Sequence, residues 1–317
     1  MIISRVRRTL LERGLVERGM RVLAACSGGP DSAAMLAVLA RLAPELGLSL
    51  QAVSIDHGLR KEAAGDVDIA REQARQLGVP FHEQKLELAV GGAAGGSIQA
   101  LARSARYAAL GQLAGELGAE RIAVGQTRDD QAETVLMRLL RGSGIDEPGG
   151  IEPLRRDGVM RPLIDCDRQK VQAFARAWFA RIAEDPSNRD ARFERVRIRY
   201  HLLPAMAEED PGVVGHLAAL ADEARERAAA INQRAAALLG QARSPVGRLL
   251  PEVLARADPA ARRAAVRAWL RERSGVEAGR RHLDQIERAL GGKGEIWLPG
   301  GWAVRVDRSG LGCFRRF

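Results

Sequence analysis

Residues 21–32 read RVLAACSGGPDS, an apolar run that leads into Ser27, Gly28, Gly29, Pro30, Asp31 and Ser32. The run predicts a buried β-strand, and the apolar periodicity that follows predicts a helix. Two glycines allow the backbone to approach an anion closely, and a helix N-terminus adds N–H groups and the positive end of a dipole. We therefore predict that residues 27–32 form a phosphate cradle.

Other phosphate-binding signatures are missing from the sequence. The Walker pattern GxxxxGK[ST] does not occur, and no GxGxxG follows a predicted strand. A cluster of Ser, Gly, Pro and Asp is also common in plain turns. The strand before this cluster and the helix after it favour the cradle.

The first half of the chain alternates short apolar runs with amphipathic helices, a pattern typical of a parallel sheet. The predicted strands are 21–26, 50–55, 78–82 and 121–125. The predicted helices are 32–42, 61–77, 97–117 and 131–141, and the GGAAGG segment at 91–96 predicts a flexible loop. The fold class is thus α/β, a parallel twisted sheet with flanking helices.

After about residue 205 the pattern changes to Ala/Arg-rich helices, followed by short β-like runs. The predicted helices are 213–242, 259–274 and 280–290, and the predicted strands are 295–298, 302–306 and 311–314. We therefore expect two domains, an α/β domain over 1–205 and a smaller, mainly helical domain with a short β element over 206–317.

The charge is distributed unevenly between the two halves of the 317-residue chain. Residues 1–150 contain 18 basic and 18 acidic groups, whereas residues 151–317 contain 31 and 22, so the whole net charge of +9 lies in the second half. Codon bias explains the abundance of arginine but not this distribution. A neutral half beside a basic half predicts one domain for chemistry and one that meets a polyanion.

Several classes of protein are excluded by composition. The chain has no apolar run of about 18 residues, and its start lacks the apolar core of a signal peptide, so we expect no membrane partner. Its three cysteines form no CxxC pair, which indicates structural thiols in a reducing compartment. A cytoplasmic location is predicted.

Four further blocks follow the cradle in order: SIDHGLR at 54–60, ARSARY at 102–107, GQTRDDQAET at 125–134 and EDPSN at 184–188. Together with SGGPDS, these blocks resemble the PP-loop ATP pyrophosphatases and, within them, the tRNA(Ile)-lysidine synthetases. The likeness covers residues 20–205, and the second half matches loosely around Trp269 and the LPGG at 298–301.

The resemblance implies a ligase that uses ATP and Mg²⁺. An isoleucine tRNA with a CAU anticodon would be adenylated on its wobble cytidine with release of pyrophosphate, and L-lysine would then displace AMP to give lysidine. The basic domain over 206–317 would bind the tRNA, and a homodimer is left open.

Asp31 and the block at 54–60 are the predicted nucleotide contacts beyond the cradle. Asp31 stands at the helix start, where a carboxylate suits a Mg²⁺ on the leaving pyrophosphate, although it is also a common helix cap. Asp56 and His57 follow the second strand at the carboxyl edge of the sheet, where ligands bind. The resemblance gives them nucleotide recognition, and a loop histidine bonded to backbone is the alternative.

Arg103 and Arg106 lie three residues apart and share a helix face. By resemblance, Arg103 is a substrate contact, and Arg106 contacts the substrate lysine or stabilises developing charge. A solvated, Arg-rich helix face is the alternative.

Asp130 and Glu133 also share a helix face, and such a pair could bind an ammonium ion and accept its proton. An acidic first turn that complements the helix dipole is the alternative. The family commonly has histidine after the glycine of this block, whereas Gln126 stands here, which weakens any histidine role at that position.

The block at 184–188 supplies Asp185 and Asn188 as predicted substrate contacts, and Arg195, Arg197 and Arg199 follow it. Arginine forks bind phosphates bidentately, so this segment is a predicted tRNA contact. An exposed linker helix is the alternative. Family members often carry asparagine where Val196 stands, so one polar contact is expected to be missing.

Two other functions remain open at this stage. One is another PP-loop tRNA-modifying enzyme of the thiolase type, although the CxxC pairs of the 2-thiocytidine enzymes are absent. The other is a non-catalytic RNA-binding protein on a decayed nucleotide fold, against which the intact cradle, Asp130 and Glu133 argue.

Overall fold

The computed structural model describes residues 2–56, 63–86, 98–141, 149–184, 190–307 and 309–315. The predicted loop at 91–96 lies outside them. The chain divides into two compact units: Met1–Gly142 with Gly150–Ala221, and Ser143–Gly149 with Asp222–Phe317. This division falls further along the chain than the predicted domain boundary after residue 205, which stays a prediction.

The first unit contains a five-stranded, wholly parallel sheet in the order β3–β2–β1–β4–β5. The strands are β1 (Arg21–Ala25), β2 (Ser49–Asp56), β3 (Phe81–Lys85), β4 (Arg121–Ala123) and β5 (Val159–Met160). β1 is central, and Ala24 pairs with Ala52 on one side and Ala123 on the other. The predicted α/β fold with a parallel sheet is confirmed.

Helices cover both faces of this sheet. They are α1 (Ile2–Glu12), α2 (Pro30–Leu46), α3 (Ala63–Gln76), α4 (Ile98–Leu117), α5 (Arg128–Leu140), α6 (Arg168–Trp178), α7 (Glu194–Arg197) and α8 (Leu203–Glu209). Because successive strand residues point to opposite faces, Val22 and Ala24 pack into the cluster around α2, whereas Leu23 packs with Leu110 of α4. Both faces of β1 are therefore buried.

Between α7 and α8, residues Ile198–Leu202 form a π-helical turn. Ile198 and Leu203 are buried with Ala132 and Leu136 of α5 and with Val213 of the helix that follows α8. This packing fixes the basic segment at 195–199 against α5.

The predicted strand at 78–82 begins later than expected, at Phe81. Gly78 adopts a φ of +67°, and the Val79 N–H donates to the Ala74 carbonyl, so these residues still belong to the end of α3. The sequence analysis also missed α1, α6 and β5. β5 has two residues, which is too short to produce a visible apolar run.

The second unit is built on a three-stranded antiparallel sheet, β6 (Gly294–Leu298), β7 (Trp302–Asp307) and β8 (Gly310–Arg315), in the order β6–β7–β8. Its helices are the later part of α9 (Val213–Ala242), with α10 (Pro251–Ala255), α11 (Pro259–Ser274) and α12 (Arg280–Ala289). Trp269 is 1% exposed at the centre of the core, and its Nε1–H donates to the Gly247 carbonyl at 3.1 Å.

This helical unit with its small sheet confirms the predicted second-half architecture, and α9 and α11 have the predicted bounds. Within the described ranges, no helix is long and apolar enough to cross a membrane.

Gly28 occupies a place that only glycine fits. Its φ is +76°, and an added Cβ would lie 2.7 Å from the Asp66 carbonyl oxygen. Gly14 is a matched control, since its φ is +58° but a Cβ there would meet no atom within 4 Å. We expect Gly14→Ala to lower the free energy of unfolding by about 1–2 kcal/mol through backbone strain, and Gly28→Ala to lower it by more. Urea denaturation measures both, and equal losses would contradict the steric argument.

Candidate functional site

The phosphate cradle connects β1 to α2. The Ser27 N–H donates to Ser32 Oγ at 3.1 Å, and Ser32 Oγ–H donates to the Gly29 carbonyl at 3.0 Å. Gly29 is the N-cap of α2, and no side chain caps the helix. The N-terminal N–H groups of α2 are thus not satisfied by a capping side chain, as an anion-binding helix start requires.

A cavity of about 500 Å³ opens beside the cradle. It is lined by most of the predicted site residues: Ser27, Gly29, Pro30, Asp31, Ser32, Arg103, Arg106, Asp130, Arg195 and Arg199. Residues from four separate segments of the first unit, 27–32, 103–106, 130 and 195–199, therefore meet in one space.

Four predicted residues do not line this cavity. The Gly28 carbonyl accepts hydrogen bonds from Gln73 Nε2 and the Ala183 N–H, which turns this glycine toward α3. Asp56 lies at the end of β2 and Glu133 is buried behind the cavity wall. Arg197 donates to the carbonyls of Ala191 and Arg192. His57, Asp185 and Asn188 lie outside the described residues.

Asp31 is a partly buried carboxylate whose salt-bridge partner, Arg168, lies beyond hydrogen-bond distance. Its Oδ1 is buried and has no hydrogen-bond partner among the described residues, and its Oδ2 lies 4.0 Å from Arg168 Nε. Burial raises the pKa of Asp31 to about 6, Arg168 acts against this rise and Asp130 adds to it.

A hard cation would satisfy this carboxylate. Within the described part of the chain, no three His, Cys, Asp or Glu side chains cluster as a metal site. Mg²⁺ usually takes one or two carboxylates together with phosphate oxygens, so Asp31 beside the cradle fits its requirements.

Glu133 of α5 holds three arginines. Its carboxylate is fully buried and accepts hydrogen bonds from Arg168 at 2.6 Å, Arg195 at 2.7 Å and Arg199 at 2.7 Å. Burial alone would raise the pKa of Glu133, but the hydrogen bond from Arg199 and the three positive charges outweigh it and lower the pKa to about 2.

This geometry does not fit the predicted role of Glu133 as a proton acceptor. Both carboxylate oxygens already accept hydrogen bonds from arginines, and the lowered pKa of Glu133 makes its carboxylate a weak base at neutral pH. Its neighbour Asp130 does line the cavity. Asp130 Oδ2 accepts from the Thr127 N–H and hydroxyl, and its Oδ1 lies 2.8 Å from Arg168 Nη2.

Three guanidinium groups surround the ring of Tyr107, which also lines the cavity. Their Cζ atoms lie 5.2 Å (Arg103), 5.6 Å (Arg106) and 4.9 Å (Arg155) from the ring centroid. Cation–π attraction holds each to the ring, but the three charges repel one another. Only Arg155 among them has a carboxylate partner in the described ranges, Asp157. The wall is therefore suited to an anion.

Comparison with known proteins identifies two conserved domains. The PP-loop domain family matches residues 3–206, and the TilS substrate binding domain matches residues 251–311. A tRNA(Ile)-lysidine synthase of Symbiobacterium thermophilum is 45% identical over 71% of this chain and 48% of its own length. A tRNA(Ile)-lysidine synthase of Salinispora tropica is 38% identical over 89% of this chain and 87% of its own length.

The chain belongs to the tRNA(Ile)-lysidine synthase family. It spans about half the length of the Symbiobacterium relative and most of the Salinispora one. The predicted membership, and with it the class of ATP-dependent tRNA-modifying ligases, is confirmed.

A solved structure supports the fold. A U34-tRNA thiolase from Methanococcus maripaludis, described with its [4Fe-4S] cluster, superposes with a TM-score of 0.59 at 17% identity. The match covers 71% of this chain and 78% of that one. At this identity, the likeness concerns the fold alone.

Gln126, where this family commonly has histidine, binds a buried arginine. Arg161 is 3% exposed, and its Nε donates to Gln126 Oε1 at 2.9 Å. Burial lowers the pKa of Arg161, and the charges of Arg155 and Arg103 lower it further. An amide oxygen is always an acceptor, so Gln126 supplies Arg161 with a partner at any pH.

Sequence reasoning missed Arg168, Tyr107 and Arg161 as parts of the site. Arg168 has the strongest links, since it reaches Asp31, Asp130 and Glu133. The only local signal is Asp167, which caps α6 by accepting from the Lys170 N–H. That signal predicts a helix start but no partner 35 residues away.

Glu133 should be a major source of stability. Glu133→Gln removes one of the two buried carboxylates that Arg168, Arg195 and Arg199 share and leaves them only Asp130, so we expect the free energy of unfolding at pH 7 to fall by about 3–5 kcal/mol. Glu194→Gln is the control, because Glu194 pairs with the exposed Arg141 and should cost below about 1 kcal/mol. Urea denaturation measures both.

The stabilising effect of Glu133 should also depend on pH. The folded pKa of Glu133 lies below its ordinary value, so its contribution is complete above about pH 4.5 and is lost as pH falls toward 2. The gap between wild type and Glu133→Gln should narrow over this window. A constant gap, or equal losses for both variants, would contradict the role of Glu133.

Proposed function

We propose that this chain ligates L-lysine to C2 of the wobble cytidine in an isoleucine tRNA with a CAU anticodon. The observation that carries the proposal is the cavity in which the cradle, Asp130, Arg103 and Arg106 meet in a chain of this family. The names of the relatives support the tRNA and the product.

In the first step, the cytidine O2 attacks the α-phosphorus of ATP. An O–P bond forms, the bond to pyrophosphate breaks, and the base becomes adenylated. We assign residues 27–32 and the start of α2 to binding the ATP phosphates, since they present N–H groups and a positive dipole end. Asp31 would hold Mg²⁺, which supplies charge neutralisation at the leaving pyrophosphate.

In the second step, the ε-amine of lysine attacks C2, and AMP leaves with the former O2. Cytosine oxygen is a poor leaving group, and adenylation turns it into a good one. We assign Asp130 to holding the incoming ammonium group and accepting its proton before the attack, since it is the carboxylate of the predicted pair that lines the cavity; the ammonium group would share Asp130 Oδ1 with Arg168 and Arg195. Glu133 acts through Arg168, Arg195 and Arg199, whose positions it fixes.

In this scheme, the arginines around Tyr107 would contact a negatively charged group of the substrate. Arg106 and Arg103 line the cavity, and their mutual repulsion is relieved by a bound anion. We assign Arg106 to the substrate lysine or to charge that develops in the reaction, and Arg103 to the substrate. Arg195 and Arg199 also face the cavity, where they favour an anionic RNA.

The remaining tRNA affinity is assigned to the basic second half, over 206–317. Arg197 stays a predicted tRNA contact, although backbone carbonyls already bind its guanidinium. The cytoplasmic location and the homodimer also stay predictions.

Pyrophosphate release tests the scheme directly. With ATP, L-lysine and the CAU-anticodon tRNA present, release should be continuous, and without tRNA it should stop. Without lysine it should end after a single turnover, because the adenylated tRNA has no nucleophile. Release that needs no tRNA, or no release in the complete mixture, would refute the proposed function.

Replacing Asp31 should abolish activity and raise stability. Asp31→Asn should abolish pyrophosphate release and leave tRNA binding nearly intact. Because the folded pKa of Asp31 lies above its ordinary value, ionisation at pH 7 costs the free protein stability, and the neutral amide should raise the free energy of unfolding by about 1 kcal/mol. Asp68→Asn, at an exposed carboxylate paired with Arg71, is the control and should change neither. Equal loss of activity and tRNA binding in Asp31→Asn would make Asp31 a structural residue.

A further inference from the structure

An open groove lies in the second unit between α12 and β6. It has a volume of about 600 Å³, and Trp297, Arg281, Arg288, His282 and Glu295 are among its lining residues. We call it the α12–β6 groove. None of its residues lines the cavity beside the cradle.

Trp297 is exposed because of the alternation along β6. Ile296 and Leu298 point into the core and are 7% and 6% exposed, whereas Trp297 is 52% exposed on the other face. Trp269 of α11, by contrast, is buried. Half of a large aromatic surface held in water by a regular strand indicates a surface used for contact.

The basic and the acidic residues of α12 have different surroundings. Arg281 and Arg288 lie seven residues apart, two turns along one helix face, and both line the groove. The acidic residues of the same helix, Asp284 and Glu287, instead pair with Arg263 of α11. Within the described residues, neither groove arginine has a carboxylate partner, although Arg288 Nε donates to the Asp284 carbonyl.

The rest of the groove wall leaves this positive charge uncompensated. The carboxylate of Glu295 is 3.0 Å from Arg305 on β7 and is therefore paired. His282 Nδ1 is buried with no hydrogen-bond partner in the described part of the chain. An exposed aromatic ring and two guanidinium groups that have no carboxylate partner among the described residues thus share one concave surface.

We propose that the α12–β6 groove binds an unpaired nucleotide of the tRNA substrate, with its base stacked on Trp297 and adjacent phosphates on Arg281 and Arg288. Stacking requires a base face that duplex RNA does not offer, so the partner is a loop or a single-stranded end. The charge favours RNA over an apolar protein segment. The inference rests on the proposed function, since it names where that function's substrate is held.

The test compares Trp297→Leu with Trp297→Phe in the full chain. Binding of the CAU-anticodon tRNA is measured by fluorescence anisotropy, and thermal unfolding checks that each variant is folded. We expect Trp297→Leu to weaken binding by about 5-fold or more, because it removes a stacking surface. Trp297→Phe should keep most of the affinity, and it should lose the tRNA-induced quenching of tryptophan fluorescence that wild type shows.

Arginine variants test the phosphate contacts. Arg281→Ala and Arg288→Ala should each reduce the slope of log affinity against log salt by about 1. Arg256→Ala removes the same charge from an exposed position of this unit outside the groove, and it should leave the slope unchanged. Should Trp297→Leu fail to fold, Trp297→Phe quenching and the arginine slopes decide the question.

Two results would overturn the inference. One is wild-type affinity in folded Trp297→Leu or retained quenching in Trp297→Phe. The other is the same salt slope for Arg256→Ala, Arg281→Ala and Arg288→Ala, which would reduce the effect to overall charge. In either case, wild-type pyrophosphate release that depends on tRNA leaves the proposed function standing. A wild-type chain that neither binds this tRNA nor releases pyrophosphate would refute both.

Discussion

The buried carboxylate of Glu133 is the contact on which the site depends. It joins α5 to Arg168 at the start of α6 and to Arg195 and Arg199 beyond it. These segments are distant in sequence, and all three arginines meet the same two oxygen atoms. Two buried carboxylates, Glu133 and Asp130, are shared by the three arginines and make their positions mutually dependent, so the cavity wall is set by electrostatics as well as by packing.

Two carboxylates in this region show how burial acts in opposite directions. Glu133 is buried with cations on every side, and its pKa falls to about 2. Asp31 is partly buried, and the positive charges of Arg168 and Arg199 do not offset its loss of solvent, so its pKa rises to about 6. The protein therefore satisfies one anion internally and leaves the other to be satisfied from outside. This contrast separates a residue that holds the structure from one that is available to a ligand.

Much of the fold and part of the site could be predicted because their signals are local. The cradle is six consecutive residues between a strand and a helix, and the long apolar periodicity of α9 and α11 fixes their bounds. Arg168 could not be found in this way, because one arginine among 45 carries no mark of a partner in another helix. The contacts of Glu133 could not be predicted for the same reason. Its spacing from Asp130 is visible in sequence, but the three cations that neutralise it are not.

The π-helical turn at Ile198–Leu202 has a geometric consequence. A turn of this type contains one more residue than an α-helical turn, so it advances the phase of the helix by about 100° without breaking it. Arg195 before the turn and Arg199 within it donate hydrogen bonds to Glu133, while Leu203 after the turn enters the apolar cluster with α5. One helical segment thereby presents a polar face and then an apolar face to the same neighbour. The extra residue thus sets the rotation of the helix after the turn. Without it, either the polar face or the apolar face would point away from α5.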